Sequence, residues 1–276
     1  MNIKIKWKDH NGFQLHKQGD VAYLTVPAFD REDWIQNAFS TRLGGISKGY
    51  LASMNLGFNR GDDPETVKEN YKIFSEAVGL NMDDLVLSKQ THTTNVRRVT
   101  EADRGRGVTR PVGWDDVDGL VTNEPGCTLV TVFADCVPLY FVDPVHHAIG
   151  LSHSGWRGTA ARMGQVTVER MQKEFGTNPA DLLAAIGPSI CEDCYEVSRE
   201  VAKQFPEQFS KEKPDGKYLL NLQEANRQIL VDAGVPRENI TMPGICTCCN
   251  PELLFSHRAS HGKRGLCAAF LGIRRM

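Results

Sequence analysis

Three segments of the chain end alike. Leu85-Val-Leu-Ser-Lys-Gln-Thr-His92, Leu129-Val-Thr-Val-Phe-Ala-Asp-Cys136 and Ala148-Ile-Gly-Leu-Ser-His153 each run from an apolar stretch into a side chain that can ligate a metal or move a proton. If these strands lie in one sheet with their ends together, two imidazoles and a thiolate converge where α/β proteins hold ligands. A Cys/His/His set without a fourth protein donor matches a catalytic zinc shell, which keeps one position for water or substrate. Zn2+ is the first choice, and copper is an alternative because it takes the same ligand types. The same three groups also fit a cysteine hydrolase, with Cys136 as nucleophile and His153 or His92 as its base. Taken singly, each has a plainer role, as a small buried thiol or an imidazole on a backbone carbonyl.

The neighbours of these residues add to the pattern. Asp135 precedes the thiol at a strand exit, and a carboxylate is costly to bury without a partner. It can orient a ligand, bind substrate or cap a turn. His153-Ser-Gly-Trp-Arg-Gly-Thr159 leads from a strand end into a helix. Amides at that helix start, with Arg157 beside them, suit phosphate. Ser40-Thr-Arg-Leu-Gly-Gly45 sets Arg42 on a glycine-rich turn that lets backbone approach an anion. Structural salt bridges are the other reading of both arginines. Cys191-Glu-Asp-Cys194 and Cys246-Thr-Cys-Cys249 give two C-x-x-C spacings. The gap between the pairs far exceeds the roughly 15–20 residues of a typical four-cysteine zinc pattern. That gap favours buried or redox-sensitive thiols for Cys191, Cys194, Cys246, Cys248 and Cys249 over a closed metal site.

Elements that would position these residues can be read from caps and periodicity. Asp63-Pro64 opens a helix that Gly79 should stop. A second helix should follow Gly158-Thr159, with Ala161, Gly164, Val168, Met171 and Phe175 on its buried face. A third runs from Asn221 to Gly234, and a shorter one from about Glu196 to Phe205. Strands are expected at Val21–Val26, Leu85–Ser88, Leu129–Phe133, Leu139–Val142, Ala148–Leu151 and Leu182–Ile186. Continuous apolar runs among them suit sheets covered on both faces, so an α/β layered fold follows. No repeat or linker divides the chain, which reads as one domain over residues 1–276. Neither a dinucleotide-type glycine turn nor a P-loop is present.

Composition bounds the rest. In 276 residues, 32 Lys+Arg against 34 Asp+Glu leave a net charge of −2, which excludes the basic balance of a general nucleic-acid binder. Hydrophobic residues at 41% allow an ordinary core. No run approaches the roughly 20 apolar residues of a membrane span, and the first residues lack the apolar centre of a signal peptide. A cytoplasmic protein with reduced cysteines is expected.

Ser40-Thr-Arg-Leu-Gly-Gly, Asn55-Leu-Gly57, Gln90-Thr-His92, Asp118-Gly-Leu-Val-Thr122, Ala134-Asp-Cys136, His153-Ser-Gly-Trp-Arg-Gly158, Ile186-Gly-Pro188, Tyr195-Glu-Val197 and Phe255-Ser-His-Arg258 occur in one order. With these motifs the chain resembles, from about Ser40 to its C-terminus, the YlmD/YfiH family of bacterial purine nucleoside phosphorylases, the laccase-domain proteins also named polyphenol oxidases. The resemblance implies a single-domain layered α-β-β-α sandwich with mixed sheets and a zinc shell on His92, Cys136 and His153. It implies phosphate-dependent cleavage of adenosine, inosine, guanosine and methylthioadenosine, plus deamination of adenosine, with Asp135 or a histidine handling protons. Arg42 and Arg157 become candidates for phosphate or ribose, Asn55 for a sugar hydroxyl, and His257 and Arg258 for closing the site. The expected partners are small molecules, purine nucleosides and phosphate, with no nucleic acid or membrane, and the chain is a monomer or homodimer. Two alternatives stay open: amide hydrolysis of a cell-wall precursor through Cys136, and the copper-dependent polyphenol oxidase of the older family name. The second is weakened because the chain has 8 histidines and no His-x-His pair from which a laccase cluster is built.

Overall fold

Unbroken apolar runs such as Val137–Val142 suit strands buried on both faces, and alternation along them decides which side chains meet which layer. A computed structural model describes residues 5–275. In chain order its elements begin with β1 (Gln14–Gln18), β2 (Val21–Thr25), β3 (Ile35–Ser40), α1 (Pro64–Val78), β4 (Leu85–Leu87), β5 (Val96–Arg98) and β6 (Gly119–Thr122). The middle of the chain forms β7 (Thr128–Phe133), β8 (Val137–Asp143), β9 (Ala148–Ser154), α2 (Trp156–Ala160), α3 (Met163–Phe175) and β10 (Leu183–Ile186). The remainder forms β11 (Glu196–Val197), α4 (Arg199–Ala202), β12 (Ser210–Glu212), β13 (Tyr218–Leu220), α5 (Leu222–Asp232), β14 (Ile240–Thr241) and β15 (Cys267–Ile273).

Two six-stranded mixed sheets face each other, ordered β1-β2-β3-β15-β7-β4 and β14-β10-β8-β9-β6-β5. Between them lies one core, in which Phe39, Leu129 and Phe133 meet Tyr140, Val142, Ile149 and Leu151. On the outer face of the first sheet, Val67, Tyr71 and Phe74 of α1 cover Val130, Ala268 and Phe270. Val168 and Met171 of α3, with Ala225 and Leu230 of α5, cover Val121, Leu139 and Phe141 of the second. The result is the expected α-β-β-α sandwich. A third, small sheet, β11-β13-β12, joins the second helical layer through Val197 and Leu220. No helix among the described residues is long and apolar enough to cross a membrane.

Three expectations change. The three ligand-bearing strands do not share a sheet: β4 and β7 pair in parallel in the first, whereas β9 belongs to the second. Ala134-Asp135-Cys136 is the link by which the chain passes from β7 in one sheet to β8 in the other. The helix expected from Thr159 to Phe175 is broken. Arg162 takes a left-handed conformation with φ of 60°, ending the short α2 and redirecting the chain into α3. The expected helix over Glu196–Phe205 shrinks to α4, because Glu196 and Val197 pair with β13 instead.

Candidate active site and metal centre

Three donors meet at the seam between the sheets. One ligand atom from each of His92, Cys136 and His153 lies within 4.8 Å of the others. His92 hangs in the loop after β4, Cys136 ends the crossing link, and His153 is the sixth residue of β9, opposite Pro138 of β8. The two imidazoles stand nearly perpendicular, with centroids 4.9 Å apart. His92 and Asp135 both have positive φ, 68° and 88°, in a region sparsely used by non-glycine residues and often found at functional sites.

Asp118, fully buried just before β6, organises both histidines. Its carboxylate receives the Nδ1 of His153 at 2.8 Å and the amides of Thr91, His92 and Thr93 at 2.9, 3.1 and 3.1 Å. That hydrogen bond fixes the His153 tautomer and leaves Nε2 for Cys136, the carboxylate–histidine arrangement found behind metal ligands. Gly155 gives the donors room, since a β-carbon there would stand 3.1 Å from both the Cys136 sulfur and His92 Cδ2.

Charge follows from this packing. Burial alone would raise the Cys136 thiol, but His153 and His92 outweigh it and bring it down to about 6. Burial alone would lower His153, but the Cys136 thiolate and Asp118 raise it to about 9. Burial likewise works against the Asp118 carboxylate, yet His153 and the loop amides hold it below its ordinary value. Both shifts run in the direction that favours a thiolate beside an imidazolium. Two imidazoles and a thiolate this close, one backed by a carboxylate, are the donor set zinc takes in catalytic sites, so the residues fit the ion.

Two cavities share His92 and Cys136 in their lining. One, of about 410 Å³, has aliphatic walls that include Leu87, Val130, Val132 and Leu266. The other, of about 390 Å³, is bordered by Trp156, Arg157, Tyr195, His257 and Arg258. Arg60 and Arg264 reach both. Arg264 is the one whose donors are spare: its Nε and Nη1 are buried without a hydrogen-bond partner.

The other expected site residues divide. Arg157 is exposed at the second cavity, its guanidinium 4.2 Å from the Trp156 ring centroid. His257 borders the same space, where burial and the nearby Arg264 favour the neutral imidazole. Arg258 is there too, but its guanidinium donates to the carbonyls of Cys194 and Glu196 at 3.0 and 2.8 Å, which makes it a brace for that wall. Asp135 accepts from Thr247 Oγ1 at 2.6 Å and from the Arg258 amide at 2.7 Å, so of its candidate roles the geometry favours tying down a turn. Arg42 is not brought to the pocket. Its Nε and Nη1 donate to the carbonyls of Ala52 and Pro251. Asn55, expected to meet a sugar hydroxyl, is bonded within the protein. Its buried amide donates to Asp62 and Gly57 and accepts from Gly57 and Leu266, leaving nothing for a ligand.

Sequence reasoning missed Asp118, Gly155, Arg60 and Arg264. Asp118 and Gly155 stand inside motifs already singled out, but residue type alone does not reveal a side chain shared by a loop and a strand or a space needed by a sulfur. Arg264 carries no local signal beyond a glycine on its C-terminal side. The four sulfurs of Cys191, Cys194, Cys246 and Cys249 also come within 4.8 Å of one another, against the expectation drawn from their spacing.

Residues 36–274 match the family model described as multi-copper polyphenol oxidoreductase laccase. Purine nucleoside phosphorylase YlmD of Bacillus subtilis is 35% identical over 268 residues, covering 91% of this chain and 96% of that protein. Adenosine deaminase RL5, from an unknown prokaryotic organism, is 35% identical over 230 residues, covering 80% of this chain and 87% of that protein. The crystal structure of YlmD from Geobacillus stearothermophilus superposes with a TM-score of 0.90 at 36% identity, covering 96% of this chain and all of that one. The chain is an enzyme of the laccase-domain family to which the YlmD purine nucleoside phosphorylases belong.

Proposed function

We propose that this enzyme is a zinc-dependent purine nucleoside phosphorylase. It takes adenosine, inosine, guanosine or methylthioadenosine with phosphate to the free base and ribose 1-phosphate, and the same pocket deaminates adenosine. The observation that carries the reading is that His92 and Cys136 border two cavities, one with Leu87, Val130, Val132 and Leu266 in its wall and the other with Arg157 and Arg258, while Arg60 and Arg264 line both. A flat purine suits the first, against Leu87, Val130, Val132 and Leu266. A phosphate suits the second, where the unpaired donors of Arg264 can take its oxygens and Arg157 adds charge. The sugar then spans the seam. In phosphorolysis a phosphate oxygen bonds to the anomeric carbon as the bond from that carbon to the purine nitrogen breaks, the electron pair leaving with the base. Arginines holding the anion in line supply orientation and offset its charge as it is desolvated. Asp118 keeps His153 in one tautomer throughout. His92, Cys136 and His153 would hold a zinc ion, which would supply Lewis acidity to the reaction. The names of the B. subtilis and RL5 relatives support both activities.

Zinc-loaded protein given inosine and inorganic phosphate should release hypoxanthine and ribose 1-phosphate, read by chromatography, and should leave inosine intact without phosphate. His92→Ala should lose metal and turnover together. Arg264→Ala should keep its metal and raise KM for phosphate roughly ten- to hundredfold, the worth of charged hydrogen bonds. Normal activity in His92→Ala would end the reading.

A second reading has one observation in its favour, the Cys136 thiol held at about 6 beside His153, as a nucleophile requires. A covalent adduct on Cys136 in metal-free protein that still turns over an amide substrate would select it. Copper oxidase chemistry has less support. Among the described residues only two groups can hold a metal, and together they offer two histidines.

A further inference from the structure

Cys191 and Cys194 flank the short 3-10 turn after β10, and Cys246 and Cys249 lie on the turn after β14. An isolated parallel bridge joins Ser189 to Cys246, and the Thr247 amide donates to the Ser189 carbonyl at 3.1 Å. Segments 55 residues apart in sequence are thereby brought side by side. All four sulfurs lie within 4.8 Å of one another, and those of Cys194 and Cys249 are 3.4 Å apart. Sulfurs on a tetrahedron about zinc, at about 2.3 Å from the ion, are separated by about 3.8 Å. The Cys191 amide also donates to the Cys246 sulfur at 3.2 Å, tying the two C-x-x-C segments together at the sulfurs. Lys8, paired with Asp193 at 2.8 Å, brings positive charge next to the cluster.

We infer that Cys191, Cys194, Cys246 and Cys249 form a second, structural zinc site, closed by four thiolates and independent of the centre at His92, Cys136 and His153. Each thiol gives its proton to solvent as it ligates. A merely buried cysteine sits among apolar groups. Here four sulfurs face one another, and each C-x-x-C pair supplies a two-pronged chelate. Cys248, the fifth thiol of this region, is outside the set. The site staples the wall of the second cavity. Thr247, beside Cys246, holds Asp135; the Cys194 carbonyl receives Arg258; and Tyr195 follows Cys194 into the cavity lining. The inference does not depend on which reaction the enzyme performs.

Metal content measured on the full chain, purified under reducing conditions without chelator, tests it. Two zinc ions per chain are expected. His92→Ala should keep one of them, and the double variant Cys194→Ser, Cys249→Ser should lose the other while Cys248→Ser keeps both. Should the double variant fail to fold, cobalt loaded into His92→Ala answers separately, because four thiolates give an intense sulfur-to-cobalt charge-transfer band. A single zinc per chain in the parent protein that His92→Ala removes, or a cobalt spectrum without that band, would overturn the site. Loss of turnover in His92→Ala with the second zinc retained keeps the two assignments distinguishable.

Discussion

His153 is useful because of what stands behind it. A free imidazole rotates and exchanges tautomers, whereas this one is 3% exposed and tied through Nδ1 to Asp118. The same carboxylate collects three amides from the loop carrying His92, so one buried side chain sets the positions of two donors. Asp118→Asn keeps the shape but removes the charge and turns an NH2 toward amides that need an acceptor. Zinc affinity, measured by competition with a chromophoric chelator, should fall roughly ten- to hundredfold, the usual cost of altering a group behind a ligand. His92, Cys136 and His153 were legible in the sequence because each closes an apolar run. Asp118 was visible only as a motif letter, since its four partners lie at positions 91, 92, 93 and 153. Arg42 shows the opposite case: a glycine-rich turn advertises anion binding, and only the fold reveals that main-chain carbonyls of Ala52 and Pro251 take its Nε and Nη1.

Among the elements, α1 was the most readable, because both of its ends are written locally. The Asp63 carboxylate accepts from the Glu65 amide, Pro64 opens the first turn, and Gly79 closes the helix with φ of 70°. Asp63→Ala should therefore cost about 1 kcal/mol, within the usual range for lost N-caps, as a shift in urea midpoint with turnover at saturating substrate unchanged. The break between α2 and α3 was not readable. Arginine carries no signal for the left-handed conformation it adopts at 162, and the apolar spacing on either side runs on as though one helix continued. β15 escaped for a different reason. It is apolar throughout and lies at the centre of its sheet between β3 and β7, but no turn residues follow it to mark it as a strand. The separation of β9 from β4 and β7 into facing sheets was equally hidden, because pairing partners are not encoded in apolar runs.

At the scale of the molecule, stability rests on the interior shared by the two sheets. Tyr140 of β8 is buried there, and its hydroxyl donates to the Ala38 carbonyl of β3 at 3.2 Å, linking the layers directly. Tyr140→Ala should destabilise the protein by about 3–5 kcal/mol in urea unfolding, the range for aromatic truncation in a core. Tyr140→Phe should lose only about 1 kcal/mol, that of one hydrogen bond. A much smaller loss in the alanine variant would mean that the layers hold together by other contacts. The layered class was legible from composition and strand character.

Only three residues, Ala134 to Cys136, carry the chain from one sheet to the other. Inserting one more would rotate β8 by half a pleat, sending Leu139 and Phe141 inward and Tyr140 and Val142 toward the helices, while the sulfur swung off its mark. Length at this spot is therefore answerable to two masters at once. Evolution can exchange letters in that short bridge, but it cannot add or subtract one without forfeiting both the sandwich and the chemistry.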